Sequence, residues 1–332
     1  MPILRPDSAP YPDHVPVQVN DDGVRFALPD PRSRLHAVRL WHELAAPLPT
    51  DFVRRGRTWQ LDLPRPDVDR MEYLLSLAQN GSNEFAPDPG NPRRASGPFG
   101  EKSVVEFPEY RPPSWLRRSA DGWLPPAPKV IAGIEVTLLD DGLGPLLVVH
   151  DGPEYAEYSQ LLLFLQGLRP LRVALLQPRN RNDEYSASAV YARRLVERVP
   201  PELPQAPRIG VGASLGALAL LHAQYVYPEA FAALFLESGS FFRRRQEAYE
   251  RGFSRFARLT RFVGAVHSGA FPWEPIPTTL TCGTGEQNLA CNRALASRLK
   301  VPLHEVRDAH NWTAWRDALD PHLRELVAHV RG

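Results

Sequence analysis

A serine placed where a buried strand breaks into a helix is poised for nucleophilic chemistry. The stretch Arg208-Ile-Gly-Val-Gly-Ala-Ser-Leu-Gly-Ala-Leu-Ala-Leu-Leu-His222 offers such a serine. Its centre, Gly212-Ala213-Ser214-Leu215-Gly216, has glycine two residues before and two residues after Ser214. A serine in so sharp a turn sits in strained backbone, and the flanking positions must be nearly free of side chain for strand and helix to pass closely. The turn lifts the Ser214 hydroxyl clear of the sheet and sets it at the positive end of a helix. An ordinary strand-to-helix connection with a serine cap has the same local appearance. The nucleophile reading therefore depends on what else the chain supplies.

A hydroxyl attacks only if a base takes its proton, and the base needs an orienting acid. In hydrolases with a G-x-S-x-G elbow the chain order is Ser, acid, His, with the last two in loops after late strands. His310 is the base by elimination. It follows a strand candidate at 303–307 and precedes the last helix, whereas His304 lies within that strand and His322 and His329 lie on the helix. Glu286, in a loop that leaves a strand through glycines, is the preferred acid, and Asp308, two residues before His310, is its rival. The oxyanion that forms on attack needs two N–H donors. One is the backbone of Leu215. The other comes from Asp151-Gly152-Pro153-Glu154-Tyr155, where Pro153 has no N–H, leaving Gly152 or Glu154. Gly152 is preferred, because a bare Cα would let substrate approach. Arg181 and Glu184, in the run 178–188, are candidate substrate-binding residues, since a guanidinium at a strand's C-terminal end can hold carboxylate, phosphate or catecholate oxygens. A surface ion pair between the two is the other reading. This chemistry calls for no metal and no cofactor of the protein's own.

Positioning such groups takes a sheet. Apolar segments at 144–150, 171–177, 208–211, 232–236 and 279–282 alternate with helix candidates at 187–198, 215–226 and 289–299. That alternation predicts an α/β fold with a doubly wound, mostly parallel sheet covered on both faces. A last helix from Trp312 would carry Trp315, Leu319, Leu323, Leu326 and Val330 on one stripe. Upstream, strand-length segments at 24–28, 37–41, 58–63 and 71–77 are punctuated by Pro, Gly and Asp, which predicts a small all-β sandwich of Ig-like or E-set type. The irregular run 85–93 is expected to be ordered by packing on a neighbouring domain. The expected organisation is a β-sandwich domain at 1–110, a Pro-rich linker at 111–130 and a catalytic domain at 131–332.

The 332 residues carry a net charge of +1, so no global field recruits nucleic acid or an acidic membrane. Lysine occurs only at 102, 129 and 300, an arginine bias that reads as genomic composition. Cys282 and Cys291 make no secreted disulfide framework and lack zinc-site spacing. No apolar run reaches membrane-spanning length and no signal-peptide pattern opens the chain, so a cytoplasmic location is expected.

Taken together, these stretches resemble the enterochelin (ferric enterobactin) esterase family, within the esterase D and antigen 85-like α/β-hydrolases. The resemblance rests on His150-Asp-Gly-Pro-Glu-Tyr155, Arg181-Asn-Asp-Glu184, the elbow, Tyr227-Pro-Glu-Ala-Phe231, Leu236-Glu-Ser-Gly-Ser240 and Asp308-Ala-His-Asn-Trp312, with Asp88-Pro-Gly-Asn-Pro92 upstream. It implies ester hydrolysis through an acyl-enzyme on Ser214 with His310 as base, and it implies that Arg181 helps hold a siderophore. The implied partner is a small-molecule ester, with a ferric siderophore, iron as its cargo, among the candidates. The family often has aspartate after the histidine, where this chain has Asn311. Two alternatives use the same residues differently: acyl transfer of the antigen 85 type, and a binding protein that keeps the fold without catalysis.

Overall fold

Period-two alternation of buried and exposed residues builds the first part of the chain into strands, as in β5, where Trp59, Leu61 and Leu63 are buried between more exposed neighbours. In the computed structural model, residues 17–119, 123–270 and 272–331 are described. They fall into two units, one ending at Tyr110 and the other beginning at Arg111.

The first unit contains β1 (Gln18–Asn20), β2 (Gly23–Pro29), β3 (Ala37–His42), β4 (Val53–Arg55), β5 (Thr58–Pro64), β6 (Arg70–Gln79), β7 (Ser82–Ala86), β8 (Arg94–Ala95) and β9 (Lys102–Glu106). They form two antiparallel sheets, ordered β1-β2-β5-β4 and β3-β6-β9-β8, with β7 also paired to β6. Phe26 on β2 meets the Tyr73 ring on β6 edge-on, at 5.0 Å between centroids. The irregular run after β7, expected to lean on a neighbouring domain, is held by its own unit. The Tyr73 hydroxyl donates to Asp88 Oδ2 (2.8 Å), the Asp88 N–H donates to Ser103 Oγ (2.8 Å), and Asn91 Nδ2 donates to the Val104 carbonyl (2.8 Å). Buried Asp and Asn side chains here take over the hydrogen bonding that a strand ladder would supply.

The second unit is built on one sheet of β10 (Lys129–Ile131), β11 (Ile134–Asp140), β12 (Leu146–His150), β13 (Arg172–Gln177), β14 (Arg208–Ala213), β15 (Ala233–Glu237), β16 (Thr278–Gly283) and β17 (Leu303–Val306). The spatial order is β10-β11-β13-β12-β14-β15-β16-β17, with the β10–β11 and β11–β13 pairs antiparallel and the remaining pairs parallel. The helices are α1 (Gly152–Tyr158), α2 (Leu161–Gln166), α3 (Arg181–Glu184), α4 (Ala189–Arg193), α5 (Leu215–Val226), α6 (Phe256–Ser268), α7 (Leu289–Leu299), α8 (Trp312–Ala318) and α9 (His322–Arg331). Successive strand residues serve opposite cores. Val148 belongs to the core that holds Leu220, Leu234 and Leu295, while Val149 belongs to the one that holds Val211, Phe235 and Leu323. That is why the strands read as unbroken apolar runs. Because β12 through β17 are parallel and adjacent, their C-terminal ends lie along one edge.

Local departures from the expected elements have local causes. The helix at 187–198 is α4 followed by a π-helical turn, Arg194–Arg198. The last helix is two, α8 and α9, because Pro321 lacks the N–H and crowds the preceding turn. Its apolar stripe survives the break, with Trp315, Leu319, Leu323 and Leu326 buried in one cluster and Val330 against it. The β10–β11 hairpin turns on Ala132 and Gly133, both at positive φ (50° and 80°). Within the Pro-rich passage, Trp115 is buried and meets the Phe164 ring at 5.3 Å. Among the described residues, no helix is long and apolar enough to cross a membrane.

Candidate active site

β14 delivers Ser214 to the sheet edge at φ 56° and ψ −121°, and α5 begins at the next residue. Positive φ strains an L-residue by the order of 1–3 kcal/mol, so neighbouring bonds must hold it. Two do so. The Ser214 N–H donates to the Glu237 carbonyl (2.9 Å), and the Ser214 carbonyl accepts from the Ser240 N–H (3.1 Å). The two glycines are required by space. A Cβ on Gly212 would lie 3.0 Å from the Gly216 carbonyl carbon, and one on Gly216 would lie 3.2 Å from His150 Cβ. The first distance reflects helix against strand, as the spacing implied. The second reflects the elbow against the end of β12.

Beyond β16 and β17, His310 Nδ1 is 2.7 Å from Glu286 Oε2. The Glu286 carboxylate is fully buried, while the His310 ring is about one-third exposed. The other carboxylate oxygen accepts from Ser238 Oγ (2.6 Å) and the Gly283 N–H (2.7 Å). Trp315 donates its indole N–H to Ser238 Oγ (3.0 Å) and meets the His310 ring edge-on at 5.1 Å. Asp308, the rival acid, accepts from the Ala309 N–H (2.7 Å) and from Asn311 Nδ2 (2.9 Å). With Nδ1 of His310 against a carboxylate, the ring is held in one orientation, and Nε2 is its other proton-exchanging atom.

Ser214 joins this pair through the turn after β15. Ser214 Oγ and Ser240 Oγ are 3.2 Å apart, and Ser238, two residues earlier, reaches Glu286. Five residues from the ends of β14, β15, β16 and β17 thus form one connected set. Ser238, Ser240 and Trp315 were not among the candidates. The signal for the first two was a Ser-Gly-Ser run directly after a buried strand, at the same sheet edge as the elbow.

Leu215 opens α5 and Gly152 opens α1, so neither N–H has a carbonyl four residues back within its own helix. Tyr155 and Glu154, expected in a loop, lie on α1. Gly152 is bare for packing: a Cβ there would fall 2.5 Å from Leu175 Cα on β13. The two helix openings are tied together by buried His150, which donates from Nδ1 to the Gly216 carbonyl (3.0 Å) and accepts at Nε2 from the Tyr191 hydroxyl (3.0 Å). Burial pushes the His150 pKa down to about 3, so the ring is neutral and this tautomer is held.

Arg181 grips Asp151, the residue before Gly152, with Nε 2.9 Å from both carboxylate oxygens and Nη2 2.8 Å from Oδ2. Burial works against the guanidinium charge, and Asp151 more than offsets it, raising the Arg181 pKa. Arg181 and Glu184 are not brought together as an ion pair. Glu184 accepts from the Arg179 N–H (3.0 Å) and from the Arg194 guanidinium. A second buried carboxyl, Glu237, ends β15, where it accepts from the Tyr155 hydroxyl (2.7 Å). Burial raises its pKa well above the usual carboxylate range, with Glu286 adding to the shift.

Solved structures share this architecture. Enterobactin esterase from Shigella flexneri in the presence of enterobactin matches with a TM-score of 0.74 and 19% identity, over 95% of this chain and 96% of that one. Ferric enterobactin esterase from Salmonella typhimurium matches with a TM-score of 0.75 and 18% identity, over 94% and 97%. The chain has the fold of the enterobactin esterases. No protein-family model and no curated protein matches the sequence. Asn311 directly follows His310 and precedes α8. Its side chain caps α8 by accepting the Ala314 N–H (2.9 Å) and also donates to Asp308.

Proposed function

We propose that this protein is a serine esterase in which Ser214 is the nucleophile, His310 the general base and Glu286 the acid that orients it. The supporting observation is the 2.7 Å His310–Glu286 contact on strand ends next to a serine held at positive φ. Ser214 Oγ attacks the ester carbonyl carbon while its proton passes to His310 Nε2. The Leu215 and Gly152 N–H groups receive the oxyanion. The alcohol departs with the proton from His310, leaving the acyl group on Ser214. Water then repeats the sequence, and the acid product leaves. Glu286 holds the imidazole in the tautomer that accepts at Nε2 and compensates the charge that forms on it.

The substrate class we infer is a catecholate siderophore ester, with iron as cargo. The shared fold supports this reading, as does Arg181, whose Nη1 edge is not used on Asp151 and whose side chain is 38% exposed. Glu184 stiffens the same loop. In this reading the two sheets of the first unit belong to a β-sandwich domain at 1–110, with 111–130 as linker and 131–332 as the catalytic domain. Hydrolysis rates across a panel from acetyl esters to ferric tri-catecholates test the assignment. Preference for the tri-catecholates is expected, with Arg181→Ala raising KM for them alone. Equal rates across the panel would remove the substrate assignment and leave a general esterase. No labelling by a fluorophosphonate would remove the esterase itself.

A further inference from the structure

We infer that Ser240 is a further catalytic residue, its hydroxyl donating to Ser214 Oγ as that oxygen leaves the acyl group during deacylation. The inference rests on the serine-esterase reading and deepens it. Ser240 is buried, its Oγ lies 3.2 Å from Ser214 Oγ, and its N–H donates to the Ser214 carbonyl (3.1 Å). The two serines are therefore joined twice, once through the backbone and once between hydroxyls.

The turn that carries Ser240 is built to hold it still. Ser238 adopts φ 47°. Gly239 is clamped on both sides by Asn292 of α7, which accepts from its N–H (3.0 Å) and donates to its carbonyl (2.9 Å). Asn288 Nδ2 donates to the Ser238 carbonyl (2.8 Å). Such clamping leaves the Ser240 hydroxyl only rotation about its own bonds, with Ser214 Oγ in reach.

Chemistry assigns the direction of the bond. The Ser214 proton must go to His310 for attack, so the hydroxyl–hydroxyl contact has Ser240 as donor and Ser214 as acceptor. A donor to Ser214 Oγ has opposite weights in the two half-reactions. In acylation the resting hydroxyl oxygen already accepts the bond, so the transition state gains little. In deacylation the starting oxygen is an ester oxygen, a poor acceptor. Water adds to the acyl carbon, His310 takes its proton, and collapse breaks the carbon–Oγ bond. The electron pair goes to Oγ, and the proton on His310 follows. The bond from Ser240 strengthens as that charge develops, which is the differential stabilisation that lowers a barrier. Ser240 itself neither gains nor loses a proton.

The test is rapid mixing of the full chain with p-nitrophenyl acetate, comparing wild type with Ser240→Ala and with Ser240→Cys, which keeps the volume but donates weakly. Loss of one hydrogen bond to a charging oxygen predicts a steady-state kcat lower by roughly 10- to 100-fold. A burst of about one p-nitrophenol per enzyme should accompany it, because acylation stays fast and deacylation becomes limiting. A merely structural role would lower both steps or raise KM and would produce no burst. The inference is overturned if Ser240→Cys, or Ser240→Ala where it folds, keeps wild-type kcat or loses rate without a burst. Fluorophosphonate labelling of Ser214 in wild type separates the two failures. Labelled Ser214 with ordinary variants sinks the role of Ser240 alone, whereas unlabelled Ser214 sinks the esterase reading beneath it.

Discussion

Each unit of this protein contains a buried polar network, and the two networks are built to opposite ends. In the first unit Tyr73, Asp88, Asn91 and Ser103 close on one another, and burial drives the Tyr73 pKa far up. In the second unit the set of Ser214, Ser240, Ser238, Glu286 and His310 begins at a buried carboxylate and ends on groups that are partly exposed. Backbone strain separates them further. Among the described residues of the second unit, three of the seven non-glycine residues at positive φ, Asp151, Ser214 and Ser238, directly follow parallel strands, whereas in the first unit positive φ falls on Ser33 and Asn80 in turns. Burial and hydrogen bonding alone thus make a structural knot. A site needs strain held at a sheet edge and a network that stops short of closure.

If that distinction is right, substitutions in the two networks have different consequences. Ser214→Ala should lower kcat by about 10⁴-fold or more with little change in melting temperature, measured by ester turnover and thermal unfolding. Glu286→Gln should cost about 10³- to 10⁴-fold by freeing the His310 tautomer. Tyr73→Phe should leave turnover intact and destabilise the chain by about 1–3 kcal/mol, since Asp88 and Asn91 each lose a partner. A Tyr73→Phe variant that lost activity while remaining folded would break the comparison.

Smaller effects concern pH. Burial holds His150 near a pKa of about 3 and His222 near about 4, against 6.5 when unfolded. Below that value the unfolded chain binds the extra protons, so stability is full above about pH 6.5 and is lost as pH falls toward 4. The slope is at most about 1.4 kcal/mol per pH unit for each ring. Glu237 has the opposite sign, because burial raises its pKa above the 4.5 of the unfolded carboxyl. Its contribution is full below about pH 4.5 and is lost as pH rises from there through the raised folded value. Glu237→Gln should therefore melt higher than wild type at pH 8 and flatten the profile, by about 1 kcal/mol or a few degrees. A lower melting point at pH 8 would contradict a carboxyl whose pKa burial raises.

The elbow and the strand-helix alternation were legible because they are local: glycine spacing, apolar runs and a histidine between a strand and a helix. Glu286 could be ranked above Asp308 only by its place after a strand, and geometry supplied the contact. For Ser238 and Ser240 the Ser-Gly-Ser run marked the place but not the contacts, since their partners lie 26 to 77 residues away and small polar residues carry no periodicity. The reason Gly152 lacks a side chain was hidden for a related cause. A bare Cα has the same appearance in sequence whether it faces substrate or the backbone of β13. The β10–β11 hairpin was hidden by the Pro-rich passage before it and by an Ala-Gly turn without the usual Asn or Asp.

Trapping the acyl-enzyme addresses the central claim most directly. Wild-type protein quenched in acid during turnover of a p-nitrophenyl ester and analysed by peptide mass spectrometry should carry one acyl group on the peptide containing Ser214. That adduct should be enriched in Ser240→Ala and absent from Ser214→Ala. An adduct on another residue, or undiminished turnover by Ser214→Ala, would contradict the account.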